Sequence, residues 1–313
     1  MKNIPVLHAH GKTLAEAYEK ALCELYLNGC RFKTQYDKPE DPESIDASMN
    51  ITIDEPLSDP MIHKAFPGGI NDLKEYVMEL NGDKDHWCRC LNNPKDTRWE
   101  YTYHQRFETY GKWKEQCFPN GPEKMCGSLE VNQIDWVIKK LTEQPFTRQA
   151  QMITWMPNID LGIKDPPCMQ SIWFRMAEED NVYYLNTNIR FRSNDAWGAY
   201  FMNSFGLTMF IKENIAVPIS CMTGKEVKLA RMNWQADSWH IYGKDIQQAK
   251  ERLFDKIIHK LPDSDKMFPI HNDLAFRVYD FNDPDIQEIY NEAEAVVNEK
   301  IANYDKEQRE KKQ

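Results

Sequence analysis

The sequence lacks both a long apolar run and an excess of positive charge. No hydrophobic stretch approaches the roughly 20 residues that a bilayer-spanning helix requires, so we expect no membrane partner. Lysine and arginine together number 39 against 49 aspartates and glutamates, and this net charge of −10 argues against a nucleic-acid partner. The first residues contain neither an apolar signal core nor a small-residue cleavage site, so we expect a cytoplasmic protein.

Cysteine is present, but without the regular spacing of a disulfide framework or a metal site. Eight scattered cysteines in a chain with no export signal are expected to be reduced, with one of them selected for reactivity. The segment His86-Trp-Cys88-Arg-Cys90 contains a C-x-C pair, which differs from the C-x2–4-C spacing of structural zinc sites. We therefore expect no bound metal.

Internal repeats and low-complexity linkers are also absent, which favours a single domain over residues 1–313. Apolar residues recur at helical spacing towards both ends and alternate in the middle, so an α+β fold is predicted. Helices are predicted over 13–29, 71–80, 134–141, 197–212, 245–260 and 284–304. Strands are predicted over 50–54, 151–156, 170–176, 182–192 and 227–242, with a loop over 31–50 and a flexible charged tail over 305–313.

One cysteine stands in a setting that favours chemistry. Cys168 directly follows two prolines, which place it on a rigid turn between two predicted strands. A reactive thiol also needs a positive neighbour that stabilises its thiolate, and Arg192 is a candidate. A core cysteine and an ordinary ion pair are the alternatives if these residues are considered alone. The segments Arg192-Ser193-Asn194-Asp195 and His240-Ile241-Tyr242 change that assessment, because they follow Cys168 in a recognisable order.

Taken together, the motifs resemble those of the thymidylate synthase family over roughly residues 70–245. In that family a Pro-Pro-Cys nucleophile, an Arg-Ser-x-Asp segment and a His-x-Tyr segment follow one another as they do here. The further matches are Glu75 before Gly82-Asp83, Tyr110-Gly111-Lys112, Gln133-Ile134-Asp135, Arg148 and Asn203. The motif forms are closer to the divergent archaeal and phage-like branch, and residues 1–70 would form a divergent N-terminal part.

The resemblance implies a large mixed β-sheet flanked by helices, and a homodimer in which the sheets of two subunits pack together. It implies catalytic roles for Cys168, Glu75, Tyr110 and Asn203. The Cys168 thiolate would add to C6 of a pyrimidine and make C5 nucleophilic, with Arg192 lowering the pKa of the thiol. Glu75 would move protons through water. Asn203 would read uracil, because one primary amide can donate to O4 and accept from N3–H.

The resemblance also implies the binding residues. Arg192 would bind the nucleotide phosphate together with Ser193 and with Arg148, which in the family reaches across the two-fold interface. His240 and Tyr242 would bind sugar hydroxyls. Asp195 would hold the pterin ring of the one-carbon donor.

The function implied is one-carbon transfer from 5,10-methylenetetrahydrofolate, or a related pterin, to C5 of a pyrimidine nucleoside monophosphate. Reductive methylation of dUMP to dTMP is the first expectation. One alternative is a 5-hydroxymethylase that makes 5-hydroxymethyl-dUMP or the cytidylate analogue, since admission of water to the site would give that product. The other alternative is a non-catalytic nucleotide-binding relative.

Four departures from the family pattern bear on this expectation. Met169 replaces the usual histidine after the nucleophile, and Gln149 replaces a second arginine. The N-terminal phosphate arginine of the family has only candidate equivalents, which are Arg31, Lys33 and Lys38. A charged run stands where the family has a short apolar C-terminal lid.

Overall fold

The computed structural model describes residues 3–88, 98–111, 131–261 and 264–310. Its strands are β1 (Val6–Gly11), β2 (Cys30–Phe32), β3 (Ser44–Ile53), β4 (Ile62–His63), β5 (Gln151–Ile153), β6 (Met169–Glu179), β7 (Val182–Phe191), β8 (Asn194–Asp195), β9 (Val227–Ile241), β10 (Ile258–Lys260), β11 (Met267–Pro269) and β12 (Val278–Tyr279). Its α-helices are α1 (Leu14–Asn28), α2 (Ile70–Leu80), α3 (Tyr103–Glu108), α4 (Gln133–Glu143), α5 (Pro157–Asp160), α6 (Tyr200–Ile211), α7 (Val217–Thr223), α8 (Ile246–Ala249), α9 (Asp255–Ile257) and α10 (Pro284–Glu310). Within these described ranges, no helix is long and apolar enough to cross a membrane.

Eight strands form one mixed sheet. Six of them have the order β1-β3-β9-β7-β6-β5, and in addition β2 pairs with β3 and β8 pairs with β9. The pairs β3–β9, β6–β7 and β5–β6 are antiparallel, whereas β1–β3 and β7–β9 are parallel. The expected α+β class with a large mixed sheet flanked by helices is therefore confirmed. These strand directions place the first residues of β3 and β6 and the last residues of β7 and β9 at the same end of the sheet.

The sheet buries one of its faces, and the alternation of side chains along the strands shows which. On β3, Ile45, Ala47, Met49, Ile51 and Ile53 are fully buried, and the residues between them are partly exposed. The central helix α6 packs over the buried face and is itself buried on nearly every side. Its uniformly apolar composition follows from that position, because no side of the helix faces water.

Several predicted boundaries are confirmed. Thr13 caps α1, with its Oγ1 accepting from the Glu16 backbone N–H, and the helix ends before Gly29. Helix α2 ends before Asn81, and Gly82 has a positive φ of 96°, which a residue with a side chain rarely adopts.

Other boundaries differ from the predictions. The predicted loop over 31–50 contains β2 and the first half of β3, because the polar residues between Ile45 and Ile51 lie on the partly exposed face and hide the alternation. The predicted helix over 245–260 is interrupted by a π-helical turn at Lys250–Phe254 and ends at Ile257.

The predicted flexible tail is helical as far as Glu310. Asp305 is held by His86 Nε2 at 2.8 Å and by the Trp87 indole N–H at 3.3 Å, and the Tyr304 ring packs on Trp87 with centroids 4.3 Å apart. These contacts to a distant part of the chain explain why this charged run continues α10.

A buried carboxylate joins the first helix to a distant segment. Glu19 on α1 is 1% exposed and receives hydrogen bonds from His63 (3.0 Å), His271 (2.6 Å) and the Arg277 Nε (2.7 Å). Burial alone would raise the pKa of Glu19, but these partners outweigh it and the pKa falls far below its usual value. His63 is fully buried, and burial lowers its pKa.

Candidate active site

A cavity of about 790 Å³ opens at the end of the sheet where the termini of β3, β6, β7 and β9 lie together. Five of the predicted site residues line it, which are Cys168, Arg192, Ser193, His240 and Tyr242. Cys168 precedes β6, Arg192 and Ser193 follow β7, and the other two lie at the end of β9. The strand directions of the mixed sheet bring together residues that are up to 74 positions apart in the sequence.

The Arg192 guanidinium contacts both the thiol and the turn that carries it. Its Nε donates to the Pro167 carbonyl at 3.0 Å and its Nη2 to the Pro166 carbonyl at 2.6 Å, while Nη2 lies 3.6 Å from Cys168 Sγ. Burial raises the pKa of Cys168, and the positive charge of Arg192 opposes that rise only in part. The predicted cation is in place, but the net pKa shift is upward, so the unliganded site holds a thiol.

At the other end of the cavity, His240 belongs to a polar array that the sequence motifs did not include. Ser238 donates to Asp46 Oδ2 at 2.8 Å, and its Oγ lies 3.1 Å from His240 Nδ1. Burial lowers the pKa of His240 and raises that of Asp46. Asp46 is the register partner of His240 in the β3–β9 pair, a pairing that the structure shows and that no sequence motif signals.

The three candidates for an N-terminal phosphate cation do not line the cavity. Lys33 donates to the Lys38 carbonyl at 2.9 Å, and the Arg31 guanidinium stacks on the Tyr26 ring at 5.3 Å. The loop after β2 contributes polar and aromatic side chains instead, which are Thr34, Gln35 and Tyr36. Among the described residues that line the cavity, Lys164 is the second positively charged side chain besides Arg192.

Arg148 lies apart from the cavity of its own chain. Its side chain is exposed just before β5, at the edge of the sheet, and its carbonyl accepts from the Trp173 indole at 3.0 Å. Gln149 is exposed beside it. Met169, which stands in place of the family histidine, is fully buried, and its N–H donates to the Tyr103 hydroxyl.

Asn203 is held by protein partners on both sides of its amide. Its Oδ1 accepts from Asn194 Nδ2 at 3.0 Å, and its Nδ2 donates to the Tyr76 hydroxyl at 2.7 Å. Asn194 is oriented in turn by the Trp234 indole N–H at 3.1 Å. One N–H and one lone pair of the Asn203 amide therefore remain for a ligand, in a fixed orientation. Neither Tyr76 nor Asn194 was predicted from the sequence.

Asp195 caps the turn that leads into α6. Its Oδ1 accepts from the backbone N–H groups of Trp197 (3.0 Å) and Gly198 (2.8 Å), and burial raises its pKa. A Cβ at Gly198 would lie 2.6 Å from Asp195 Oδ2, so the carboxylate fits because this position is glycine. Asp195 does not line the 790 Å³ cavity.

Glu75 lies in a neighbouring cavity of about 420 Å³ and is paired with two lysines. Its Oε1 accepts from Lys84 at 2.7 Å and its Oε2 from Lys300 on α10 at 2.8 Å. Burial would raise the pKa of Glu75, but the two ammonium groups outweigh it and the pKa is lowered. One turn further along α2, burial raises the pKa of Glu79 to about 7.

The three cavities are neighbours that share lining residues, and together they are called the cleft here. Asp165 lines both the 790 Å³ cavity and an intermediate one of about 390 Å³. Glu79 and Trp99 line both the intermediate cavity and the one that contains Glu75. The cleft thus extends from Cys168 to Glu75, long enough in outline for two ligands side by side.

Two further predicted segments lie outside this cleft or are partly undescribed. The Tyr110 hydroxyl donates to the Trp155 carbonyl at 3.0 Å, and Tyr110 lines none of the three cavities. Lys112 and Cys90 lie outside the described residues. Cys88 is a free thiol.

Comparisons with known proteins agree with this fold and these motifs. The sequence model described as thymidylate synthase matches residues 73–299. A "putative thymidylate synthase" of Methanosarcina barkeri is 30% identical over 165 residues, which cover 52% of this chain and 61% of that protein. Its namesake in Methanosarcina acetivorans is 36% identical over 140 residues, covering 45% and 50%. These two matches span less than two thirds of either relative.

Longer matches exist at lower identity. The "putative thymidylate synthase" of Methanocaldococcus jannaschii is 27% identical over 238 residues, which cover 74% of this chain and 88% of that protein. The solved structure of thermostable thymidylate synthase A from Bacillus subtilis has a TM-score of 0.53 and 17% identity, and covers 81% of this chain and 90% of its own. At that identity the likeness shows the fold.

Proposed function

Because the chain belongs to the thymidylate synthase family, we propose that it transfers a one-carbon unit to C5 of a pyrimidine nucleoside monophosphate. The donor is 5,10-methylenetetrahydrofolate or a related pterin, and the first candidate reaction is reductive methylation of dUMP to dTMP. The observation that carries this proposal is the contact between Arg192 and Cys168 in a cavity that His240 and Tyr242 also line.

The chemistry requires a nucleophile that turns on when the nucleotide arrives. The Cys168 sulfur attacks C6 of the base, and the electron pair of the C5–C6 bond makes C5 the nucleophile for the one-carbon unit. Arg192 is placed to contact both the Cys168 sulfur and a nucleotide phosphate, and the thiol proton must pass to a base as the sulfur attacks. Loss of the C5 proton to a base, with release of the pterin nitrogen, leaves a methylene group on C5; a hydride from the tetrahydropterin then adds to that carbon as the C6–sulfur bond breaks, which gives the methyl product, the free thiolate and dihydrofolate.

The remaining residues receive the roles that the family resemblance implies, together with the contacts described above. Asn203 reads the base with its remaining N–H and lone pair, and Ser193 and Lys164 supplement Arg192 at the phosphate. Glu75 lines the cavity proposed for the pterin, where the carbon unit is supplied, and Asp195 is assigned to the pterin ring on the family resemblance. Tyr110 supports this region through the Trp155 carbonyl rather than by contact with the nucleotide.

We also propose that the active form is a homodimer. The exposed Arg148 at the sheet edge cannot serve the cavity of its own chain from where it lies, and it is suited to complete the phosphate site of a second subunit. Within one subunit we propose a single domain, since one hydrophobic core includes residues from Ala9 to Tyr290.

The test is mass spectrometry of the products formed from dUMP and methylenetetrahydrofolate by the purified protein. A methyl gain on the nucleotide with dihydrofolate formed supports the synthase. A hydroxymethyl gain without dihydrofolate identifies a hydroxymethylase, and binding without tritium release from C5 identifies a non-catalytic relative. Cys168→Ala should abolish turnover, whereas Cys221→Ala, at an exposed free cysteine, should not. Turnover by Cys168→Ala would contradict the mechanism.

A further inference from the structure

The cavity wall near His240 carries two polar atoms that the described residues leave unsatisfied. Asp46 Oδ1 and His240 Nε2 are both buried without a hydrogen-bond partner in that part of the chain. The two residues are register partners on β3 and β9, and both line the 790 Å³ cavity. His240 is only 8% exposed. Buried polar groups are normally hydrogen-bonded, so two such atoms in residues that line one cavity point to a ligand with matching groups.

Ser238 determines what those matching groups must be. Its hydroxyl has a single hydrogen and donates it to Asp46 Oδ2, so its oxygen accepts from His240 Nδ1. The neutral His240 ring thus carries its hydrogen on Nδ1 and offers a lone pair at Nε2. Asp46 Oδ1 is an acceptor as well. The wall therefore presents two acceptors and calls for two donor hydrogens.

The other charged or titratable groups near this wall keep a fixed protonation state, so a change in protonation there involves Asp46 and His240. Asp37, on the loop after β2, faces His240, but hydrogen bonds from Ser44, Thr34 and Gly243 overcome burial and hold its pKa at about 2. Arg192, at the end of β7, is occupied by the carbonyls before Cys168. Burial raises the pKa of Tyr242 to about 12, so this neighbour stays neutral.

We propose that this array couples nucleotide binding to protonation according to the number of sugar hydroxyls, so that a 2′-deoxynucleotide binds with uptake of one proton and a ribonucleotide without it. The inference rests on the proposed function, which places the sugar at His240 and Tyr242. A ribose cis-diol brings two hydroxyl hydrogens, one for each acceptor. A deoxyribose brings one, at O3′, and leaves one acceptor unsatisfied.

One proton taken up from solution supplies the missing donor hydrogen. Placed on His240 Nε2, it is donated to O3′ of the deoxyribose, and the O3′ hydrogen is then donated to Asp46 Oδ1. Every polar atom of the array is satisfied in this arrangement, and the carboxylate and the imidazolium neutralise each other. Asp46 is thereby a specificity-determining residue of the sugar pocket.

The experiment is isothermal titration calorimetry at pH 8 in buffers of different ionisation enthalpy, with dUMP and UMP and no pterin. Phosphate monoesters have a second pKa of about 6, so both nucleotides carry the same charge and the difference isolates the sugar. Uptake with dUMP should exceed uptake with UMP by nearly one proton. The affinity for dUMP should fall by up to about tenfold per pH unit above the pKa of the pair, and the affinity for UMP should stay level.

Asp46→Asn should remove the difference between the nucleotides, because the amide supplies a donor hydrogen of its own. Asp54→Asn is the matched control, since it removes the carboxylate of an exposed Asp–His pair with His10 at 2.7 Å. Equal proton uptake with both nucleotides, or a difference that persists in Asp46→Asn, overturns the inference while nucleotide binding still stands. If neither nucleotide binds, the proposed function fails and the inference falls with it.

Discussion

Arg192 Nη2 lies 3.6 Å from Cys168 Sγ and at the same time donates to the Pro166 carbonyl at 2.6 Å. One side chain thus holds the nucleophile and the turn that presents it. Burial and this positive charge act on the thiol in opposite directions, and burial prevails. The contact therefore limits how far the pKa of Cys168 rises.

Arg192→Gln should raise the pKa of Cys168 further, because the charge that opposes burial is lost. The rate of Cys168 alkylation by iodoacetamide, followed by peptide mass spectrometry between pH 6 and 10, reports the thiolate fraction. Its midpoint should move to higher pH. Arg190→Gln is the control, since Arg190 precedes it on β7 and pairs with Asp237 at the surface. An unchanged midpoint in Arg192→Gln would contradict this account of the thiol.

Tyr76→Phe should weaken discrimination between uracil and cytosine nucleotides. The Tyr76 hydroxyl holds the Asn203 amide in one orientation, and an amide that can flip presents the opposite donor and acceptor pattern. We expect the ratio of kcat/KM for dUMP over dCMP to fall by about tenfold, which corresponds to the loss of roughly one hydrogen bond. Tyr200→Phe is the matched control, because that hydroxyl is buried on α6 without a described partner. An equal loss of kcat/KM with both nucleotides, leaving the ratio unchanged, would show a merely structural role for Tyr76.

Lys300→Ala should move the acid limb of the pH–rate profile to higher pH. Glu75 has a lowered pKa because Lys300 and Lys84 together outweigh burial, and its ionised form is lost as pH falls through that pKa. Lys300 is half-exposed, so solvent screens its charge, and Lys84 remains, so the limb should move only slightly. Glu294→Gln, which breaks the Lys74–Glu294 pair between the same two helices, should leave the limb in place.

Glu19→Gln should destabilise the protein at neutral pH and flatten its acid unfolding. The folded pKa of Glu19 is depressed, so its stabilisation is complete above the unfolded value of about 4.3 and is lost as pH falls. His63 is held neutral, so the unfolded chain gains its proton first and stability also declines below about pH 6.5.

Urea denaturation between pH 3.5 and 7.5 measures this effect. At pH 7 the loss should be about 3 kcal/mol, because a network of buried partners is left without its carboxylate. Glu16→Gln on the same helix, in a half-buried pair with Lys20, should cost less than about 1 kcal/mol. A pH dependence in Glu19→Gln that matches the unaltered protein would place the acid sensitivity elsewhere.

The sequence was sufficient to predict the site residues that belong to recognisable motifs. Cys168, Arg192 and His240 were predicted as one site because their motifs follow one another in the order of the thymidylate synthase family; considered alone, each fits a structural role. Periodicity predicted the α+β class, and the mixed sheet was implied by the family resemblance. Helix ends that depend on a single residue, such as the Thr13 N-cap of α1, could also be predicted.

What the sequence could not provide are contacts between segments far apart in the chain. Asp46 reaches His240 only through the register of β3 on β9, and no local pattern fixes that register. Tyr76 meets Asn203 through the packing of α2 on α6, and Lys300 meets Glu75 through the packing of α10 on α2. These partners set orientation and charge, so predicting the site residues did not predict their protonation states.

The prevailing burial of Cys168 has a consequence for the lifetime of the protein. Peroxides and other oxidants react with a thiolate far faster than with a thiol, and they need access to the sulfur. A half-buried thiol with a raised pKa is therefore protected from oxidation while the cleft is empty. The same burial that slows the first step of chemistry preserves the residue that performs it.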